Sequence, residues 1–378
     1  MRQDRTRRVL LVGAYGPSVL SFRGPLIAAL VAKGHDVHVA APDLDGALGD
    51  GVAALGATPH DLPVDRQGTG LRADFAYFRR LVRLFRSLSP DLAITYTIKP
   101  NIWGAFAGAR TGTRSVALVT GLGIVFTDTG RAVGLKTRAM NRLVRWLYRR
   151  ATDRNWRVVF QNRDDLADFE AAGCLGDPSK VRMMNGSGID LAAYPPAPLP
   201  ETPDFLMIAR ILGAKGVREY AAAALAVKQT HPEARFRLVG FFDKGPDAVA
   251  ETEMDAWVAG GLDYLGPSDD VRPHLAAARV YVLPSYREGT PRSVLEAMAT
   301  GRAVLTSDAP GCRETVVDGQ NGFLVPVRDA DALASRMRQM IDDPALVARM
   351  AAASLTIARE KYDVDKVNAA LLHDLELE

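Results

Sequence analysis

The feature that most constrains this chain is a repeated alternation: short apolar, β-branched runs, each followed by a segment with helical spacing. Val9–Val12 reads as a buried strand, and Leu26, Ile27, Leu30 and Val31 follow with the spacing of one helix face. Pro25 stands where that helix is expected to begin and Gly34 where it ends. Val37–Ala40 is a second strand. The pattern continues through helix Leu71–Ser87, strand Leu92–Thr95, helix Asn101–Gly108, strand Ser115–Val119, helix Ala132–Arg150, strand Arg157–Phe160, helix Arg163–Ala172 and strand Val181–Met184. Apolar strands separated by helices predict parallel sheets with helices on both faces, an α/β class.

The alternation breaks once. Tyr194 to Pro203 holds five prolines in ten residues and cannot carry a strand or helix interior, so it is expected to be a linker. The pattern then restarts with strand Phe205–Ala209, helix Val217–Lys228 and strand Arg235–Val239, and continues to strand Gly322–Val325 before a run of closing helices. The expectation is two doubly wound, Rossmann-like domains facing across a cleft. They span residues 1–190 and 191–361, with a C-terminal helix at about 362–378 packing back on the first. Ligands of such sheets sit at the carboxyl ends of the strands.

Composition narrows the function. Hydrophobic residues make up 48% and charged residues 24%, which excludes a disordered or fibrous chain. Two cysteines, Cys174 and Cys312, are too few for a disulfide framework or a zinc cluster, and six scattered histidines show no zinc spacing. No apolar run approaches the roughly 20 residues of a membrane span, and Val9–Val12 is too short for a signal peptide, so a cytoplasmic location is expected. The net charge of +3 hides a division. Residues 1–190 carry 27 Lys/Arg against 17 Asp/Glu, and residues 191–378 carry 20 against 27. A basic half suits nucleic acid, an anionic membrane or a phosphorylated substrate.

The segment Pro284–Ala299 concentrates the chemistry. A strand ends, a turn containing Gly289 follows, and Pro291 opens a helix. Free N–H groups of that first turn, with the Gly289 amide, suit a phosphate or sugar hydroxyls. Glu288 and Glu296 lie eight residues apart, and a carboxylate accepts the two hydroxyls of a diol. Taken as an isolated pair, they are better explained by a favourable helix dipole at Glu288 and solvation at Glu296; the whole string is much more specific than the pair. Arg210 and Lys215 follow the first strand of the second half, at its carboxyl end, where two fixed cations would stabilise a leaving group that gains negative charge. The alternative there is a surface loop. In the first half, Gly13-Ala-Tyr-Gly16 permits close backbone approach, or is only a tight turn. GxGxxG spacing is absent, so a dinucleotide site is not supported. Asp43-Leu-Asp45 reads as a polar loop rather than a metal site, and Cys312 has no base near it in sequence.

The Glu288/Glu296 string resembles the E-x7-E signature of retaining glycosyltransferases of family 4, with the GT-B fold. The resemblance extends from Val9 to about Tyr362. It includes Ile208–Gly216, Phe236–Gly240, Leu265-Gly-Pro, Gly311–Pro326 and Asn185–Asp190. It implies no cofactor and no metal. It implies that Glu296 holds the donor's ribose and that Arg210 and Lys215 hold its diphosphate. Glu288 would touch the donor sugar, with the Gly289 and Thr290 amides near sugar or phosphate. The loop of Gly13, Gly16 and Ser21–Pro25 would face the donor. Within the family the chain looks like bacterial capsular polysaccharide and N-glycan N-acetylgalactosaminyltransferases. The residues that carry this are Ser21-Phe-Arg23, Thr97-Ile-Lys99-Pro100-Asn101 and Thr120-Gly-Leu-Gly123. That subgroup implies a nucleotide sugar, UDP-linked, as donor and a polyprenyl-diphosphate-linked saccharide as acceptor. Arg23, Lys99 and Thr120 are the acceptor-side candidates. Many wider relatives have His where this chain has Thr120, whose hydroxyl cannot reproduce an imidazole's hydrogen bond to the donor sugar.

Residues 131–157 hold nine Lys/Arg against Asp153 alone, with Met140, Leu143, Val144 and Leu147 on one face and Trp146 near its boundary. That composition suits a helix on the inner face of an anionic membrane; the alternative is an amphipathic helix whose apolar side faces the core. Nucleic acid is not an expected partner. Two other functions remain open at this level: a GT-B UDP-sugar 2-epimerase, and a non-catalytic nucleotide-sugar-binding protein.

Overall fold

The computed structural model describes residues 6–65, 70–122, 134–243, 245 and 247–378. The expected Gly123, Arg131 and the start of the helix at Ala132 lie outside them. The chain divides into two compact units, residues 1–187 with 365–378, and residues 188–364.

In chain order the first unit contains β1 (Arg8–Val12), α1 (Pro17–Ala32), β2 (Asp36–Ala41), α2 (Ala47–Ala54), β3 (Thr58–Asp61), α3 (Leu71–Leu88), β4 (Leu92–Tyr96), α4 (Ile98–Thr111), β5 (Arg114–Val119), α5 (Leu135–Arg154), β6 (Arg157–Phe160), α6 (Arg163–Ala171) and β7 (Val181–Met183). Its seven strands are all parallel, in the order β3-β2-β1-β4-β5-β6-β7. The period-2 alternation of a strand divides β1 between two cores. Val9 and Leu11 join one, with Leu26, Ile27 and Leu30 of α1. Leu10 and Val12 join the other, with Tyr77, Leu81 and Phe85 of α3.

The second unit contains β8 (Asp204–Ile208), α7 (Val217–Lys228), β9 (Arg235–Val239), α8 (Glu251–Ala259), β10 (Asp263–Tyr264), α9 (Arg272–Ala276), β11 (Val280–Leu283), α10 (Arg292–Ala299), β12 (Ala303–Ser307), β13 (Gly322–Val325), α11 (Ala330–Asp342) and α12 (Pro344–Ile357). Its strand order, β10-β9-β8-β11-β12-β13, repeats the first unit's doubly wound pattern. One continuous core fills it, with Phe205 stacked on Phe236 at 5.2 Å. The closing helix α13 (Val364–Asp374) returns to the first unit, where Val367, Leu371, Leu372, Leu375 and Leu377 join the α1 core.

Three sequence expectations are corrected. First, α1 begins at Pro17, so Ser21–Pro25 is helix and not loop, and Pro25 lies inside it. Pro17 suits a helix start equally well, and Ser18 Oγ donates to the Tyr15 carbonyl beside it. Second, α4 begins at Ile98 and takes Lys99 and Pro100 into its first turn, where proline's missing N–H costs nothing. Third, the proline segment is not a free linker. The division between units falls before it, and it is bonded within the second unit. Ala197 N–H donates to Thr300 O at 3.1 Å, and the buried Arg302 guanidinium donates to Ala197 O and Pro198 O.

Candidate functional site

Each sheet reverses its winding at one point, between β1 and β4 in the first unit and between β8 and β11 in the second. Chain leaving the carboxyl ends of such strands forms the binding crevice of a doubly wound sheet. Arg210 and Lys215 leave β8, and Ser285 to Thr290 leave β11. The second unit therefore brings the predicted cations and Glu288 to its own reversal point.

The loop after β8 is tightly tied. Gly213 N–H donates to Asp247 O at 2.9 Å, and Ala214 N–H donates to the Asp247 carboxylate. The Ala214 carbonyl accepts from Tyr286 N–H at 2.9 Å and from Ser285 Oγ at 3.2 Å, which joins this loop to the one after β11. Gly216 closes it with φ +75°, and a Cβ there would collide with the Pro284 carbonyl oxygen. The result is contact between Lys215 Nζ and the Glu288 carboxylate, an ion pair mostly screened from solvent. Arg210 remains more exposed and donates from Nη1 to Asp243 at 2.6 Å. The Glu288 N–H is fixed on the Pro310 carbonyl at 2.9 Å.

Glu296 lies in the second turn of α10 and is only 8% exposed. Its Oε1 accepts from Tyr194 Oη and from Arg292 Nε, each at 2.9 Å. Burial raises its proton affinity above the ordinary carboxylate range, while Arg292 and Tyr194 pull it down. Tyr194 is pushed up to about 12 by burial and by the adjacent carboxylate. Thr290 Oγ1 is buried without a hydrogen-bond partner among the described residues. A solvated surface glutamate is thus excluded for Glu296. Cys312 is fully buried and its thiol is pushed up to about 12 by that burial, so it is no thiolate.

In the first unit Gly13 and Gly16 follow β1, Lys99 follows β4, and Arg23 of α1 lies beside Tyr96, the last residue of β4. The glycines serve the protein's own packing. A Cβ at Gly13 would strike the Tyr96 hydroxyl, and one at Gly16 the Pro42 carbonyl, so their missing side chains are filled by protein and not left for a ligand. Arg23 is buried in α1 with its guanidinium carbon 5.2 Å from the Tyr96 ring centroid, and its Nε has no hydrogen-bond partner among the described residues. No carboxylate among the described residues pairs with it. Burial lowers its proton affinity. Lys99 is engaged with Asp74 at 2.6 Å, both largely buried. Thr120 directly follows β5. Tyr194, Arg292, Asp243 and Asp74 were not picked out by sequence reasoning. The i,i+4 spacing of Arg292 and Glu296 and the aromatic ring of Tyr194 ahead of the proline run were the usable signals.

On α5 the expected apolar face divides. Val144 and Leu147 pack inward around Tyr148, Phe160 and Phe169. Leu143 and Trp146 point outward, 37% and 54% exposed, among exposed Arg138, Arg142, Arg145 and Arg150. No described helix is long and apolar enough to cross a membrane.

Two family profiles match the chain, together over most of its length: a glycosyl transferase 4-like domain over residues 23–185 and glycosyl transferases group 1 over residues 202–343. The chain is a glycosyl transferase, 4-like in its first half and group 1 in its second. This glycosyl transferase is 27% identical over 355 residues to the N,N'-diacetylbacillosaminyl-diphospho-undecaprenol alpha-1,3-N-acetylgalactosaminyltransferase of Campylobacter jejuni, covering 90% of each chain. It is 26% identical over 280 residues to the UDP-Gal:alpha-D-GlcNAc-diphosphoundecaprenol alpha-1,3-galactosyltransferase of Escherichia coli, covering 70% of each. Among solved structures it resembles Anabaena HepE in complex with UDP. The TM-score is 0.78 at 20% identity, over 98% of this chain and 99% of that one. The fold of this glycosyl transferase is GT-B.

Proposed function

We propose that this glycosyl transferase moves a hexose or N-acetylhexosamine, with retention and without a metal, from a UDP-linked donor to a polyprenyl-diphosphate-linked saccharide in surface-glycan synthesis. The observation that carries the proposal is the cluster at the β8/β11 reversal: Lys215 is paired with Glu288, and Arg210, on the same loop, is held by Asp243. In this reading the second unit binds the donor. Glu296 accepts the ribose hydroxyls, and the diphosphate draws Lys215 from Glu288, which then receives donor-sugar hydroxyls. The Gly289 and Thr290 amides and the unsatisfied Thr290 hydroxyl lie on the same turn.

The bond from the sugar's anomeric carbon to the diphosphate breaks, and charge grows on the leaving oxygen. Arg210 and Lys215 stabilise that charge more than the ground state. The acceptor hydroxyl forms the new bond on the same face and passes its proton to the departing phosphate oxygen. No carboxylate is assigned as nucleophile. Gly13 and Gly16 would let backbone approach the donor closely; the Gly13 N–H itself donates to Ala40 O at 2.9 Å.

The first unit binds the acceptor. Arg23 supports this reading, because a buried cation with no carboxylate partner among the described residues would be stabilised by an anionic ligand. Lys99 and Thr120 are the further acceptor-side residues. Two relatives named for diphosphoundecaprenol-linked sugars support the same class of acceptor. Peripheral attachment to the inner membrane from the cytoplasm would use α5, whose arginines flank Leu143 and Trp146. Phe75 of α3, 58% exposed, stands with exposed Arg72, Arg79, Arg83 and Arg86.

The test is release of UDP from UDP-N-acetylhexosamine, dependent on an undecaprenyl-diphosphate-linked saccharide. Arg210→Ala and Glu296→Ala should each lower turnover by about 10²–10³ while remaining folded. Normal turnover in both variants removes the site assignment, and acceptor-independent epimerisation would replace the function.

A further inference from the structure

The carboxylate of Glu296 is held asymmetrically. Tyr194 Oη and Arg292 Nε both donate to Oε1, and neither bond falls on Oε2. Two donors on one oxygen set the carboxylate's rotation and aim its second oxygen. We propose that Tyr194 is a positioning residue for the donor: its phenol orients Glu296 so that Oε2 meets the ribose diol of the nucleotide. The inference rests on the reading that Glu296 holds the ribose.

The phenol is itself fixed from both sides. Asp190 Oδ1 accepts from Ala192 and Ala193 N–H, at 2.9 and 3.1 Å, and the Tyr194 N–H donates to Asp190 O at 3.2 Å. Downstream, Arg302 donates to Ala197 O and Pro198 O, and Ala197 N–H donates to Thr300 O. Thr300 Oγ1 in turn donates to the Glu296 carbonyl at 2.9 Å. The segment carrying Tyr194 and the helix carrying Glu296 are therefore one hydrogen-bonded unit, and the ring packs against the second unit's core. A phenylalanine would fill the same space and leave the Oε1 position to Arg292 alone.

The charged and titratable groups around the carboxylate are Arg292 on its own helix, Tyr194, and Tyr281 of β11, whose proton affinity Glu296 helps to raise. Arg272 on α9 acts on Tyr194. Burial already raises the Glu296 proton affinity, and Tyr194 and Arg292 oppose that rise. Loss of the phenol lets it rise further. Ribose binding needs the ionised carboxylate, so binding in the variant should begin to fail at a higher pH as the solution is acidified.

The experiment is calorimetric titration of the full chain with UDP and with 2′,3′-dideoxy-UDP, for wild type and Tyr194→Phe, from pH 5 to 8. A hydrogen bond to a charged group sets the scale, so the wild-type preference for UDP should shrink about tenfold in the variant. Affinity for the dideoxy analogue should stay within about twofold, since it never reaches Oε2. The acid limb of UDP binding should move to higher pH. If Tyr194→Phe keeps the wild-type preference and acid limb, the positioning role is overturned while the ribose reading stands. If both ligands weaken in parallel, Tyr194 only packs, and the inference again fails. If wild type binds UDP and its dideoxy analogue equally, or does not bind UDP, the ribose reading falls and this inference falls with it.

Discussion

Thr97 occupies φ 71° and ψ 160°, a region essentially reserved for glycine, at the entry to α4, and its hydroxyl is buried without a partner among the described residues. Holding a side chain there costs on the order of 1–3 kcal/mol. Thr97→Gly should therefore raise the melting midpoint, by about 2–4 °C for each kcal/mol relieved, and should lower turnover with the lipid-linked acceptor. An unchanged midpoint in differential scanning would show that the strain is not there. Sequence reasoning reached Thr97 by resemblance and could not see its backbone, because threonine carries no signal for positive φ. The same limit applies to partners. Glu288, Glu296, Arg210 and Lys215 stood out because each pair is close in sequence beside a strand end. Tyr194 escaped because it is 102 residues from the carboxylate it holds. Asp243 and Asp74, 33 and 25 residues from Arg210 and Lys99, escaped for the same reason.

The elements read from sequence were those with long apolar or strongly periodic runs. Missing from that reading were α2, which carries two glycines, β3, a polar edge strand containing Pro59, and α8, which buries Met254 alone. The tie between the loops after β8 and β11 depends on Gly216. Gly216→Ala should destabilise the second unit by about 1–3 kcal/mol, because it adds a disfavoured φ to a collision with the Pro284 carbonyl. UDP affinity should fall with it, and a variant that binds UDP normally would show that the Lys215 loop has another anchor. The outward face of α5 has its own measurement. Leu143→Ser with Trp146→Ser should release the protein from sedimenting phosphatidylglycerol vesicles while leaving the melting midpoint within about 1 °C, since exposed substitutions rarely cost more than about 0.5 kcal/mol. Retention of vesicle binding would assign membrane contact elsewhere.

At the scale of the whole chain, the last eleven-residue helix completes the first core rather than the unit that precedes it in sequence. Leu371 is buried there with Val9, Leu11 and Leu30. Leu371→Ala should cost about 2–5 kcal/mol of the first unit's stability. Hydrogen exchange should then rise in β1, α1 and α13 and stay unchanged in β8 to β13. Uniform acceleration across both units would show that they do not unfold independently.

The sequence by itself determined the α/β class, the two parallel doubly wound sheets and the placement of the charged residues at strand ends. Apolar periodicity is a local property, and parallel strands buried on both faces write it plainly. Three facts came only with the folded chain: the proline segment is bonded against α10, α13 belongs to the first core, and Glu296 is held by Tyr194. Those facts depend on which distant residues meet, and such meetings are set by the packing of whole elements and leave no periodic trace in the chain.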